Sequence, residues 1–285
     1  MEEIKKLAVI GNPIEHSLSP KIHSLFAKEL GLKVSYEAIQ IKKENFEDDL
    51  ESLFDRGYFG LNVTLPLKEL AFSFADKLSE ESELCGSVNT LWKEDSLTCA
   101  DSTDGRGLVK DLKNKNINLE NQEIVILGAG GSAKAIIPSL LKAKPKRITI
   151  ANRTISKAKL ISEQFSSGND QIEPIPMSHS LGFRPDLVIN TTSAGVLNQG
   201  LELPTNLFFD DTHTYDLSYS IEDTPFLKLA KNLGAKLRYD GLGMLIEQAA
   251  LSFEIWTKQK PQTNLNKVDI LSVSYTHLRA HETLL

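Results

Sequence analysis

Ser17 and Ser19 place two hydroxyls in a loop that leaves an apolar run and meets Pro20. Proline suits the first position of a helix and serine the residue that caps it. The loop would then present two hydroxyls beside the unpaired N–H groups of a helix start, which suits the carboxylate of a small acid; read more simply, it is only a helix start. Thr64 and Lys68 flank Pro66. Proline cannot continue a central strand, so both residues should lie near a strand's carboxyl end, where open α/β sheets bind ligands. A lone lysine is usually a solvated charge, but two further polar segments accompany this one, Gly86-Ser87-Val88-Asn89-Thr90 and Thr103-Asp104-Gly105-Arg106-Gly107. The second lies where the chain leaves its first half, a natural cleft edge.

A different chemistry is written in Gly128-Ala129-Gly130-Gly131-Ser132-Ala133, which fits G-x-G-x-x-G/A. The match has meaning because it follows the apolar run Glu123–Leu127 and opens a helical pattern. Glycines let the backbone turn tightly and approach a pyrophosphate, while the helix start supplies donors and a positive dipole end. The next strand ends in Asn152-Arg153-Thr154, with Lys157 one turn on. An NAD site usually places an acidic residue about 20 residues beyond the glycines. Arg153 in that place would attract a 2′-phosphate through a charge-assisted hydrogen bond. Such a bond is worth roughly 1.5–3 kcal/mol, on the order of tenfold to a hundredfold preference for NADP over NAD.

These residues need elements to hold them. The chain has 285 residues, enough for two domains, and its 41% hydrophobic content allows a core for each. Short apolar runs alternate with amphipathic ones: strands near 7–10, 35–41, 59–63 and 88–92, and helices near 20–30, 46–54 and 68–74. Alternation of this kind implies a mostly parallel sheet. A second series follows, with strands near 123–127, 147–151, 187–190, 214–217 and 236–238 around a helix near 133–141. The expected fold is therefore α/β: an N-terminal α/β substrate domain over 1–105, completed by a C-terminal helix at about 240–262, a Rossmann-type NADP-binding domain over 106–239, and a cleft between them.

A net charge of -6 argues against a basic face for nucleic acid. Two cysteines without metal-type spacing read as reduced residues of a cytoplasmic protein, and no apolar run approaches the length that spans a bilayer. The start is too short and too charged for a signal peptide. His277 and His281 stand four apart in the segment 272–285, but no third ligand accompanies them. That tail reads as disordered or non-native, and no metal site is expected.

Taken in order, the motifs resemble those of the shikimate/quinate dehydrogenase family. Ser17-Leu18-Ser19-Pro20, Asn62-Val63-Thr64 with Lys68, Val88-Asn89-Thr90 and Thr103-Asp104-Gly105 carry the first half of the resemblance. The glycine loop, Asn152-Arg153-Thr154, Ile189-Asn190-Thr191-Thr192, Tyr215-Asp216 with Tyr219, and Gly241 to Gln248 carry the second. The likeness extends from about residue 8 to residue 256.

It implies that Ser17 and Ser19 hold a substrate carboxylate with help from Tyr215, and that Thr64, Asn89, Asp104 and Gln248 bond ring hydroxyls. Lys68 paired with Asp104 would be catalytic in the reduction of 3-dehydroshikimate by NADPH. Gly128, Ala129, Gly130, Gly131, Ser132, Ala133, Asn152, Arg153, Thr154, Lys157, Thr191 and Gly241 would hold NADP. His16 is the histidine best placed to line the site. The chain departs from the family at Ser24 and Ser102, where Asn is frequent, at Ser193 and Ser220, where Pro is common, and at Val196, where Met is frequent. None of these touches the catalytic pair.

Other readings compete. A quinate or shikimate dehydrogenase using NAD conflicts with Arg153. A folate-type methylene dehydrogenase has no need of the Ser17/Ser19 and Asp104 pattern. A non-catalytic sensor of shikimate or NADP would be expected to lose Lys68 or Asp104. The expected partner is a small-molecule substrate, with no nucleic acid or membrane, in a monomer or homodimer.

Overall fold

A computed structural model describes residues 4–165, 171–192 and 203–271. Ser193, Val196 and the tail 272–285 lie outside the described residues. Contacts divide the chain into two units, one holding residues up to Gly107 and from Ile246 onward, the other Leu108–Leu245.

In the first unit the elements run β1 (Lys5–Gly11), α1 (Ser19–Glu29), β2 (Val34–Gln40), α2 (Phe46–Asp55), β3 (Tyr58–Val63) and α3 (Lys68–Phe74). They continue with β4 (Lys77–Leu78), α4 (Glu80–Cys85), β5 (Thr90–Glu94) and β6 (Leu97–Asp101). The strands form one sheet in the order β2-β1-β3-β5-β6-β4. β1 pairs in parallel with β2 and β3, whereas β5 runs antiparallel to both β3 and β6.

The parallel half obeys the expected alternation. The antiparallel half is a hairpin turned by Asp95 and Ser96, both at positive φ (49° and 66°). Two consecutive positive φ values make the two-residue turn whose twist matches that of the strands. Ala8, Ile10, Leu50, Leu61, Val63 and Leu91 meet in the core of this unit.

α5 (Asp104–Asn114) leads into the second series, β7 (Glu123–Leu127), α6 (Gly131–Lys142), β8 (Arg147–Asn152), α7 (Ile155–Phe165) and β9 (Ile172–Pro176). β10 (Leu187–Asn190), β11 (His213–Asp216), α8 (Pro225–Asn232), β12 (Leu237–Tyr239), α9 (Leu242–Thr257) and α10 (Lys267–Leu271) follow. The sheet order is β12-β11-β10-β7-β8-β9, with every pairing parallel. Central β7 and β10 are buried along their length, as expected where helices cover both faces. The order reverses at β7, so the loop after β7 stands at the switch point where such sheets bind ligands. Edge strand β9 carries Pro174 and Pro176, which a strand paired on only one side tolerates.

Candidate active site

Lys68 is the first residue of α3, and Asp104 the first of α5. The Lys68 ammonium donates to Asp104 Oδ2 at 2.5 Å, with both side chains largely buried. Asp104 Oδ1 accepts from Asn89 Nδ2 at 3.0 Å. The Asn89 amide has only one workable orientation, because its Oδ1 accepts from the Thr103 N–H at 2.9 Å and from the Thr90 hydroxyl at 3.0 Å. Its Nδ2 also reaches Gln248 Oε1 at 3.0 Å. Four expected residues, Lys68, Asp104, Asn89 and Gln248, thus form one hydrogen-bonded group.

Backbone pairings hold the segments that bear them. The Val88 N–H donates to Lys68 O at 3.2 Å, and the Asn89 N–H to Asp101 O at 3.1 Å. Gly107 brings α5 against α9: a Cβ there would stand 2.8 Å from Gln248 Cβ and N. An ammonium fixed by a carboxylate, beside donors and acceptors of defined orientation, can stabilise a developing alkoxide and pass it a proton.

Thr64 is half-buried just beyond β3, its N–H donating to Ile10 O at 2.9 Å. Its methyl group lies against Gly11, where a Cβ would come within 2.4 Å of it. Ser17 is half-buried and Ser19 buried. Ser19 was expected outside the helix as its cap, but it is the first residue of α1, and Leu18 stands at the cap position without a side-chain bond. The Ser17 hydroxyl accepts from the Ser19 N–H at 3.3 Å instead. His16 is exposed. Among the described residues, no direct hydrogen bond joins Ser17, Ser19 or Thr64 to the Lys68–Asp104 group.

Residues that sequence reasoning left out lie just beneath this group. The Thr103 hydroxyl is 2.8 Å from Asn89 Nδ2 and 3.1 Å from Gln248 O. The fully buried Ser252 hydroxyl lies 2.7 Å from Thr90 Oγ1 and 3.0 Å from Asn62 Nδ2. Ser252 stands four residues after Gln248 on α9, so one helical turn of spacing was the available signal.

The second unit holds the glycine loop. Gly128 has φ +106°, and a Cβ there would meet Thr191 Oγ1 at 2.6 Å. Thr191 is fastened by its hydroxyl and its N–H, both donating to Leu127 O (2.8 and 2.9 Å). Gly130 stands at the cap of α6 and offers no side chain to the first helical N–H groups. Among the described residues, Cβ positions at Gly130 and Gly131 meet nothing within 4 Å. Open backbone, uncapped donors and a 12-residue helix fit a pyrophosphate. Asn152 Nδ2 donates to Thr154 O at 2.8 Å, shaping the turn after β8. Arg153, Thr154 and Lys157 are exposed there, as a 2′-phosphate site requires. The Gly241 N–H donates to Ser218 O at 2.9 Å, and a Cβ on Gly241 would lie 2.1 Å from Leu217 O.

Tyr215 corrects an expectation. It was assigned to the substrate carboxylate, yet it is fully buried on β11 within the core of the second unit. Its hydroxyl donates to Asp111 Oδ2 at 2.6 Å and accepts from the Met244 N–H at 3.3 Å. Burial, reinforced by the Asp111 charge, pushes its phenol well above the usual range. Asp111 also pairs with Lys115 at 2.5 Å. Both hydroxyl functions of Tyr215 are therefore spent on a structural bond. Tyr219, four residues later and half-buried, has no hydrogen-bond partner for its hydroxyl among the described residues.

Comparison with known proteins gives this geometry a setting. Residues 9–91 match the shikimate dehydrogenase substrate binding domain, 110–197 the shikimate / quinate 5-dehydrogenase family, and 241–265 the shikimate 5′-dehydrogenase C-terminal domain. The NADP(+) shikimate dehydrogenase of Vibrio atlanticus is 42% identical over 264 residues, covering 92% of this chain and 95% of that protein. Its counterpart in Psychromonas ingrahamii is 44% identical over 256 residues, covering 89% and 93%. The crystal structure of the Thermus thermophilus shikimate 5-dehydrogenase with NADP(H) and shikimate superposes with a TM-score of 0.82 at 32% identity, covering 96% of this chain and 99% of that one.

Proposed function

This chain belongs to the shikimate dehydrogenase family, and from that membership we propose that it catalyses the NADP-dependent, reversible reduction of 3-dehydroshikimate to shikimate. NADPH supplies the hydride that reduces the C3 ketone. The chain's own residues bind, orient and move the proton.

The observation that carries the reading is the Lys68–Asp104 pair, fixed through Asn89 to Gln248. As negative charge develops on the C3 oxygen, the Lys68 ammonium stabilises it and donates its proton. Asp104 aims the ammonium and balances its charge. In the oxidative direction neutral Lys68 accepts the proton from the hydroxyl. Thr64, Asn89, Asp104 and Gln248 bond the ring hydroxyls, and Ser17 and Ser19 receive the carboxylate. Gly128 to Ala133 cradle the pyrophosphate, with Thr191 and Gly241 bounding the cofactor site. Arg153, with Asn152, Thr154 and Lys157 beside it, receives the 2′-phosphate.

Residues 1–105, completed by about 240–262, serve as the substrate domain, and 106–239 as the NADP domain. The chain works in the cytoplasm as a monomer or homodimer, without nucleic-acid or membrane partners. The two free, buried cysteines accord with a reducing compartment. No described helix is long and apolar enough to cross a membrane.

The test follows nicotinamide absorbance with shikimate and with quinate, each against NADP and NAD. Shikimate with NADP should be the preferred pair; turnover only with quinate and NAD would overturn the reading. Lys68→Ala should lower turnover by roughly 10²–10⁴-fold while shikimate still binds by calorimetry. Unchanged turnover would remove Lys68 from the mechanism.

A further inference from the structure

We propose that Tyr36, backed by His23, is a positioning residue for the substrate, fastening the Ser19 corner of the site to the Asn62–Asn89 corner. The inference rests on the reading above, and its starting point is a pair of contacts that the catalytic chemistry does not use. The Tyr36 hydroxyl donates to Asn62 Oδ1 at 2.7 Å. With its oxygen so occupied, the Asn62 amide must turn Nδ2 the other way, where it donates to Asn89 O and Ser252 Oγ, each at 3.0 Å. Asn62 is buried on β3, in register with Thr90 of β5 and two residues before Thr64. The phenol of an edge strand thus orients the amide that supports both Asn89 and Thr90, and Asn89 in turn holds Asp104 and Gln248.

The other end of the link is α1. Ser19 and His23 stand one turn apart and both are buried. The His23 ring stacks flat on Tyr36, with centroids 4.1 Å apart and planes 9° from parallel. Phe26, Phe253 and Trp256 surround the imidazole. Among the described residues neither imidazole nitrogen has a hydrogen-bond partner that meets the geometry of a good bond, so what His23 contributes is chiefly its flat face. Burial raises the Tyr36 phenol well above its usual range, with the Ser19 hydroxyl opposing that shift. Tyr36 therefore ties α1, which bears the hydroxyl assigned to the carboxylate, to the amide network behind the ring-hydroxyl contacts, through its stack on His23 and its bond to Asn62.

Removing the phenol oxygen leaves Asn62 Oδ1 buried without a partner and lets the amide turn, which loosens both corners. The Lys68–Asp104 bond itself is untouched. Tyr36→Phe should raise the KM for shikimate by roughly three- to tenfold, the worth of one hydrogen bond, leaving kcat and the KM for NADP close to wild type. His23→Leu, which removes the stacking face, should raise the shikimate KM in the same sense; His23→Phe, which keeps a flat ring, should restore it. Steady-state kinetics of the four proteins decide the matter. A Tyr36→Phe variant with unchanged shikimate KM would overturn the proposal. So would one in which the shikimate and NADP constants rise together, since that marks general loosening. If the wild-type protein fails to oxidise shikimate with NADP, it is the functional reading that fails instead.

Discussion

Acid should find His23 before it finds the rest of the fold. The imidazole is fully buried, and desolvation drives its pKa from 6.5 down to about 3, the nearby Asn62 side chain opposing the shift only partly. A depressed folded-state value means that the unfolded chain binds the proton more readily. Stability is then fully present above pH 6.5 and is lost as the pH falls from there towards 3. At pH 5 the unfolded imidazole is about 1.5 units below its midpoint while the folded one is still neutral; at ~1.36 kcal/mol per unit this removes about 2 kcal/mol. That is a sizeable share of a typical stability of ~5–15 kcal/mol.

The assay is urea unfolding of wild type and His23→Phe at pH 7 and pH 5. Subtracting the two pH effects cancels groups common to both proteins, including His213, which burial also depresses, and Glu123, held down by Arg147 and Lys146 against its burial. The wild type should lose about 2 kcal/mol more than the variant between the two pH values, whatever the larger ring does to stability at pH 7. Parallel losses in the two proteins would refute the buried, neutral histidine.

Tyr215→Phe should leave the shikimate KM unchanged and lower stability by about 1–3 kcal/mol, because Asp111 loses a buried donor; a large KM rise with unchanged stability would return Tyr215 to the substrate site. Arg153→Ala should raise the KM for NADP by roughly tenfold to a hundredfold and leave that for NAD unchanged. Equal changes for both cofactors, measured by nicotinamide absorbance, would show that Arg153 does not read the 2′-phosphate.

What could be read from the chain divides along a physical line. Elements whose own residues declare them were legible: β1, β7 and β10 as short apolar runs, α3 after Pro66, and α6 after the glycines. Elements decided by their neighbours were not. The β5–β6 hairpin turns on Asp95-Ser96, which lacks the glycine that usually marks two positive φ values. β9 is interrupted by two prolines that only its edge position excuses.

The site divides in the same way. Lys68, Asp104, Asn89 and Gln248 stand in motifs and meet in space, although bonded partners as far apart as Asn89 and Gln248, 159 residues, meant that family resemblance, not spacing, brought them together. Tyr36 and Ser252 carry no motif, and Asn62 stands in one without a role of its own, since a hydroxyl or amide is functional here only through what it bonds. Tyr215 errs in the opposite direction. It sits in a motif beside Tyr219, and nothing local tells which phenol is spent on the core. The answer lies in alternation: on β11, Tyr215 pairs with Ile189 of β10 and Tyr239 of β12 inside a covered sheet, while Tyr219 falls beyond the strand's end. In a parallel sheet buried on both faces, a strand residue belongs to the core and the residues past its carboxyl end belong to the ligand. A tyrosine's position relative to that end is therefore a better guide to its role than its membership of the motif.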